Sequence, residues 1–267
     1  MVFTIHTLKL GALYLPGAHE SGDWTPIHAW LLHDGATWTL VDTGMASADE
    51  VGAKWRVEAT GGGEAALRTA LRQHGIGPEQ IGRVILTHLH FDHAWNLELF
   101  PTAQVLLQKD ELVHAIDPAP SQRLYYTRHT INQVLDRRRP AALELIEGDR
   151  ELADGLSLLL APGHTPGMQV VCVPTERGRV GLVSDLGEEY GCWFPADPRA
   201  TRKPLRFLAD TFRPCSIRSE SERTTIASMR RVMDRVDIVV PAHDTRIPGS
   251  IPAEWFSCPE PYADLTQ

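Results

Sequence analysis

Cysteine is scarce and scattered in this chain: Cys172, Cys192, Cys215 and Cys258 are its four in 267 residues, and no two stand at C-x-x-C spacing. That pattern disfavours a structural zinc site made of thiolates. The start, Met1-Val2-Phe3-Thr4-Ile5-His6, lacks a basic segment followed by an apolar core, so no secretory signal is expected and free thiols are expected over disulfides. Cys192 is singled out because it lies near the candidate site in sequence. No apolar run approaches the roughly 20 residues that span a bilayer. Positive charge is short as well: 26 lysines and arginines face 34 aspartates and glutamates, a net charge of −8. A polyanionic partner is therefore disfavoured, because nucleic-acid binders present a net basic face. The cluster Arg137-Arg138-Arg139 reads as a solvated helix end. The expectation is a cytoplasmic protein with neither nucleic acid nor membrane among its partners. A hydrophobic content of 43% suffices for one large core.

Histidine is what the chain concentrates. Three of its twelve histidines and one aspartate fall within six residues, in Thr87-His88-Leu89-His90-Phe91-Asp92-His93. The preceding Arg83-Val84-Ile85-Leu86 is short and apolar and reads as a buried strand delivering His88 at its C-terminal end. Two-residue spacing points His88 and His90 the same way, while Asp92 and His93 fall where the chain is expected to turn into a helix. A lone histidine is usually a core or surface residue; four nitrogen and oxygen donors at this spacing point to metal ligation.

Residues 2–15, 27–33 and 37–41 suggest an antiparallel start, with Asp34-Gly35 as a turn. The third run ends in the acidic turn Asp42-Thr43-Gly44. Gly61-Gly62-Gly63 precede a helix over Glu64 to His74 that Gly75 stops. Gln104 to Gln108 reads as a strand, Asp110 to Ile116 as a helix, and Leu124 to Arg139 as a helix, carrying Tyr125 and Tyr126, that Pro140 ends. Three later apolar runs each meet a histidine or aspartate: Leu156 to Leu160 leads to His164 in Gly-His-Thr-Pro-Gly, Val180 to Val183 to Asp185, and Asp237 to Val240 to His243. Were these strand ends aligned on one edge, all seven donors would gather in one cleft. Ser219 to Glu222 reads as a capping box before a helix whose apolar face is Ile226, Met229, Met233 and Val236. The Pro/Arg-rich 195–214 stretch reads as a loop beside the site or a homodimer contact.

In this set and order, with Asp42-Thr43-Gly44, the sequence closely resembles the metallo-β-lactamase superfamily, over nearly the whole chain. The bridging aspartate and the lack of a zinc-binding cysteine look more like N-acyl homoserine lactonases and related ester hydrolases than true β-lactamases. The resemblance implies an α/β fold, a four-layer αβ/βα sandwich forming a single domain over 1–267 from two similar halves. It further implies a dinuclear zinc site: His88, His90 and His164 on one metal, Asp92, His93 and His243 on the other, Asp185 bridging them. Manganese, iron or cobalt would suit the same donors. Hydroxide between the metals would attack a lactone or ester carbonyl, Asp92 would relay a proton to the leaving alkoxide, and Asp42 would orient a ligand imidazole from behind. The lactonases often carry a tyrosine three residues after the bridging aspartate; here that position is Glu188, with Tyr190 the nearest tyrosine. Trp95, Tyr190, Trp193 and Phe194 are expected to line the pocket for a small-molecule substrate.

Rival readings are a carboxylesterase, aryl-ester or phosphotriester hydrolase, a glutathione-thioester hydrolase of the glyoxalase II kind, a mononuclear iron dioxygenase on the same fold, and a metal-dependent scaffold without activity. The thioesterase would carry a basic C-terminal segment, whereas Arg246 is the one cation after His243.

Overall fold

In the computed structural model, residues 2–19, 22–137, 142–193, 212–215 and 217–247 are described. Their strands are β1 (Thr4–Tyr14), β2 (Trp24–His33), β3 (Trp38–Val41), β4 (Ala59–Gly61), β5 (Ile81–Ile85), β6 (Gln104–Gln108), β7 (Leu143–Ile146), β8 (Arg150–Glu151), β9 (Ser157–Leu160), β10 (Gln169–Thr175), β11 (Gly178–Ser184) and β12 (Ile238–Pro241). The helices are α1 (Ala48–Trp55), α2 (Gly63–Gln73), α3 (Lys109–Ile116), α4 (Arg128–Leu135), α5 (Tyr190–Trp193) and α6 (Glu222–Met233). One sheet runs β4-β1-β2-β3-β5-β6-β7 and the other β12-β11-β10-β9-β8, so among the described residues seven strands face five. None of the described helices is long and apolar enough to cross a membrane.

Alternation within β2 shows how the layers form. Trp30 and Leu32 join Val41, Ile85 and Leu106 in a core shared with Leu158, Val170 and Leu182 of the second sheet. Their neighbours Ala29 and Leu31 point the other way, into a core with Leu67 and Leu71 of α2 and Leu112 of α3. Period-two side chains buried on both faces require cover on both sides. The first sheet therefore lies between helices and the second sheet, whose core in turn takes Met229 and Val232 of α6. The result is the α/β sandwich expected from the sequence.

Strand direction brings the site to one edge. β3 and β5 are adjacent and parallel, as are β11 and β12. β9 is antiparallel to β10 and β10 to β11, so β9 and β11 end at the same edge. Gln169 ties the sheets: its backbone N–H donates to the Thr87 carbonyl at 3.0 Å and its side-chain amide to the Leu86 carbonyl at 2.8 Å. Gly62 permits a further close approach. Its φ is +73°, and a Cβ there would stand 2.0 Å from the Ala46 carbonyl oxygen, which only glycine avoids.

Three expectations need correction. No α-helix follows Asp92 and His93: the Trp95 N–H is drawn to the Gly44 carbonyl (3.0 Å), so the chain is pinned to the loop after β3 and forms a turn and a short 3-10 helix at Leu97–Leu99. The helix expected over Leu124 to Arg139 is α4 alone, because Thr127 caps it by accepting the Thr130 N–H; Arg138, Arg139 and Pro140 lie outside the described residues. The cap of α6 is Ser221, accepting the Thr224 N–H, two residues later than the Ser219 pattern implied.

Candidate metal centre

Seven side chains meet at the shared edge in two groups, His88, His90 and His164 in one and Asp92, His93, Asp185 and His243 in the other, with the donor atoms of each group within 4.8 Å of one another. Asp185 stands between them. Its Oδ2 lies 3.4 Å from His164 Nε2 and 3.9 Å from His88 Nε2, while its Oδ1 lies 3.2 Å from both His93 Nε2 and His243 Nε2. Asp92 Oδ2 completes the second group at 3.5 Å from His93 and 3.6 Å from His243.

Each imidazole but that of His90 is anchored by its far nitrogen. His164 Nδ1 is 2.6 Å from the Ile217 carbonyl, His243 Nδ1 2.8 Å from the Pro26 carbonyl, His93 Nδ1 2.9 Å from Asp42 Oδ2, and His88 Nδ1 3.1 Å from Thr87 Oγ1. These acceptors place a proton on Nδ1, so that Nε2 is the nitrogen turned to the centre. Asp42 also accepts from the Thr87 N–H and hydroxyl, both at 2.8 Å. It does so at φ +61°, a conformation that aspartate tolerates better than most residues.

Burial pulls His88, His90 and His164 below the ordinary imidazole range. It acts on His93 and His243 too, but there the carboxylates of Asp185 and Asp92 outweigh it: His93 is held well above its usual value and His243 is raised to about 9. Burial likewise pushes Asp185 up, yet His93, His243 and His164 hold it well below the carboxylate range.

The donor set fits a pair of cations. The Nε2 atoms of His88 and His93 are buried without a hydrogen-bond partner, an expensive state that ligation would relieve. His90 Nδ1 and His164 Nε2, both on imidazoles that burial favours as neutral, stand 2.9 Å apart, an arrangement that one shared proton or one cation satisfies. Imidazoles and carboxylates without thiolate suit zinc, with manganese, iron and cobalt also accommodated.

A cavity of about 310 Å³ opens onto this edge. Leu13, Leu15, Trp55, Val57, Phe91 and Tyr125 give it an apolar lining; His19, Glu188 and the donors His90, Asp92, His164, Asp185 and His243 give it a polar one. The aromatic residues expected there are elsewhere. Tyr190 and Trp193 sit in the inter-sheet core, because α5 turns their rings inward and the Trp193 indole donates to the Gly187 carbonyl at 2.9 Å. Trp95 packs behind the apolar lining, 4.3 Å from the His129 ring and 5.8 Å from Trp55. Phe194 lies outside the described residues. The cysteine beside the site is Cys215 rather than Cys192: its thiol contacts Glu188, whose other oxygen is 3.3 Å from His19 Nδ1. Nothing in the local sequence marks His19 or Cys215, since a turn and a loop bring them in. Thr87 stood inside the motif, and its threonine hydroxyl was the available signal.

The family model described as the metallo-beta-lactamase superfamily matches residues 22–243. An N-acyl homoserine lactonase of Bacillus cereus is 29% identical over 167 residues, covering 60% of this chain and 62% of that protein. The N-acyl homoserine lactonase AiiB of Agrobacterium fabrum is 28% identical over 163 residues, covering 57% and 59%. Both alignments thus span about three fifths of the relative's length. In three dimensions, an N-acyl homoserine lactone hydrolase with N-hexanoyl-L-homoserine bound at its catalytic metal centre superposes with a TM-score of 0.68 at 20% identity, over 92% of this chain and 95% of that one.

Proposed function

Since this chain belongs to the metallo-beta-lactamase superfamily, we propose that it is a metal-dependent hydrolase that opens the ring of a lactone of the N-acyl homoserine lactone kind, using two zinc ions. The observation that carries the reading is Asp185, whose two oxygens face separate donor groups, as a carboxylate shared by two cations must. His88, His90 and His164 would hold one ion, and Asp92, His93 and His243 the other. Zinc so held supplies Lewis acidity toward a carbonyl oxygen and brings the pKa of water to about 7.

The chain's own groups do the rest. The apolar lining of Leu13, Leu15, Trp55 and Val57 excludes water and receives the acyl part of the substrate, with binding that grows by roughly 25 cal/mol per Å² of apolar area buried. The Asp92 carboxylate, on the cavity surface beside His93 and His243, takes the proton that the attacking water gives up and delivers it to the leaving alkoxide. No lysine or arginine occurs among the described cavity-lining residues, so an uncharged ester fits better than an anionic glutathione conjugate.

The test is a hydrolysis screen of the purified, metal-loaded chain against lactones, aryl esters, thioesters and β-lactams, alongside metal analysis. About two ions per chain and preference for acyl lactones are expected. One ion per chain after saturation, or preference for linear esters, would refute it.

A further inference from the structure

One fully buried carboxylate close to the centre has no part in the chemistry above. Glu111, on α3, has 0% of its surface exposed. Its Oε1 accepts the Leu89 N–H at 2.9 Å and the Tyr126 hydroxyl at 2.8 Å, and its Oε2 accepts the Thr165 hydroxyl at 2.5 Å. These donors come from three separate segments. Leu89 lies between His88 and His90, Thr165 follows His164, and Tyr126 meets the His90 ring edge-on with centroids 4.7 Å apart. Backbone packing reinforces the junction, because a Cβ on Gly167 would stand 2.0 Å from the Glu111 nitrogen. The loop after His164 therefore lies flat against the start of α3.

The choice of residue is informative. A carboxylate offers acceptors only, and it meets three donors here, so every polar atom at the junction is satisfied. An amide of the same shape would turn an N–H toward one of those donors. A fully buried acid costs folding free energy, and an apolar side chain would fill the space if packing were the sole requirement.

We infer that Glu111 is a positioning residue for one half of the metal centre: it holds the loops bearing His88, His90 and His164 in mutual register so that the three imidazoles converge on a single cation. The inference rests on the metal-centre reading above. The other donor group is anchored independently, His93 through Asp42 and His243 through the Pro26 carbonyl, so loss of Glu111 acts on one ion and spares the other.

Calorimetric titration of the metal-free full chain with zinc, paired with cobalt(II) absorption spectra, tests this. In the Glu111→Gln variant one of the two ions is expected to bind about tenfold more weakly, in line with the usual effect of removing a group that orients metal ligands, and the other within twofold of wild type. Thr165→Val and Tyr126→Phe, which remove one donor each and keep the fold if Glu111→Gln does not, should shift the same ion by smaller factors. Leu112→Ala, a packing change on the same helix, should lower the melting temperature and leave both affinities alone. Unchanged affinities in Thr165→Val and Tyr126→Phe, or equal weakening of both ions, would overturn the positioning role while leaving the dinuclear reading intact. A wild-type chain that binds no metal would overturn both.

Discussion

The two donor groups of the centre, three histidines in one and two histidines with two aspartates in the other, hold protons in opposite ways. In His88, His90 and His164, burial dominates and every imidazole is pulled toward the neutral form. His93 and His243 are as deeply buried, yet Asp185 and Asp92 keep them protonated, His243 to about 9. A sixth buried imidazole, outside both groups, calibrates the comparison. His28 donates from Nδ1 to the carbonyl of Ala242 at 2.7 Å, next to His243 in the chain, and with no carboxylate in contact burial lowers it to about 4. Burial thus sets the sign where Asp185 stands off, 3.4 Å from His164 and 3.9 Å from His88, and the anion wins where Asp185 comes to 3.2 Å of His93 and His243 with Asp92 beside them.

Removing that anion should have the largest effect. Asp185→Asn keeps the volume and loses the charge, so lactone hydrolysis is expected to fall by roughly two to three orders of magnitude with loss of bound metal. In the metal-free chain His243 should drop from about 9 to below the ordinary imidazole value, read by NMR titration. Wild-type activity per bound metal would refute the shared role.

His28 sharpens the comparison through stability. It is neutral in the folded chain down to about pH 4, whereas its ordinary value is 6.5. Its contribution is therefore complete above pH 6.5 and is lost as pH falls toward 4, because the unfolded chain takes up a proton that the folded chain refuses. The loss amounts to about 3 kcal/mol. Urea unfolding across this range should show a shallower acid slope for His28→Gln than for wild type; parallel slopes would contradict the assignment.

Asp42→Ala comes next. It frees His93 Nδ1 and strands the Thr87 N–H and hydroxyl, so the ion held by His93 should bind roughly 10- to 100-fold more weakly, and stability should fall by about 1–3 kcal/mol. Equal loss at both ions, measured by calorimetry, would mean that Thr87 transmits the damage to His88. The smallest effect is expected at the cavity wall: Trp55→Ala should cut the preference for long over short acyl lactones in kcat/KM by about tenfold and leave metal binding unchanged. A preference that does not move would remove Trp55 from the acyl site.

Legibility differed between these regions for a physical reason. The donors follow four strand-like runs directly, and parallel or twice-antiparallel pairing brings β5, β9, β11 and β12 to one edge, so a local pattern carried the site. The cavity wall has no such rule. Trp193 and Tyr190 are close to Asp185 in sequence, but the turn before α5 rotates them into the core. The residues that face the cavity, Leu13, Trp55 and Tyr125, come from three distant segments.

By itself, the sequence determined the seven candidate donors, because ligands at strand ends are written as short motifs, and through those motifs the resemblance that implied the layered α/β fold. Tertiary structure decided which oxygen of Asp185 faces which group, which carbonyl or carboxylate anchors each imidazole, and that Glu111, Thr165 and Tyr126 meet at all. Those contacts join residues up to 217 positions apart, as between His243 and Pro26, and a hydrogen bond across such a span depends on how whole sheets and loops pack, which no local spacing records.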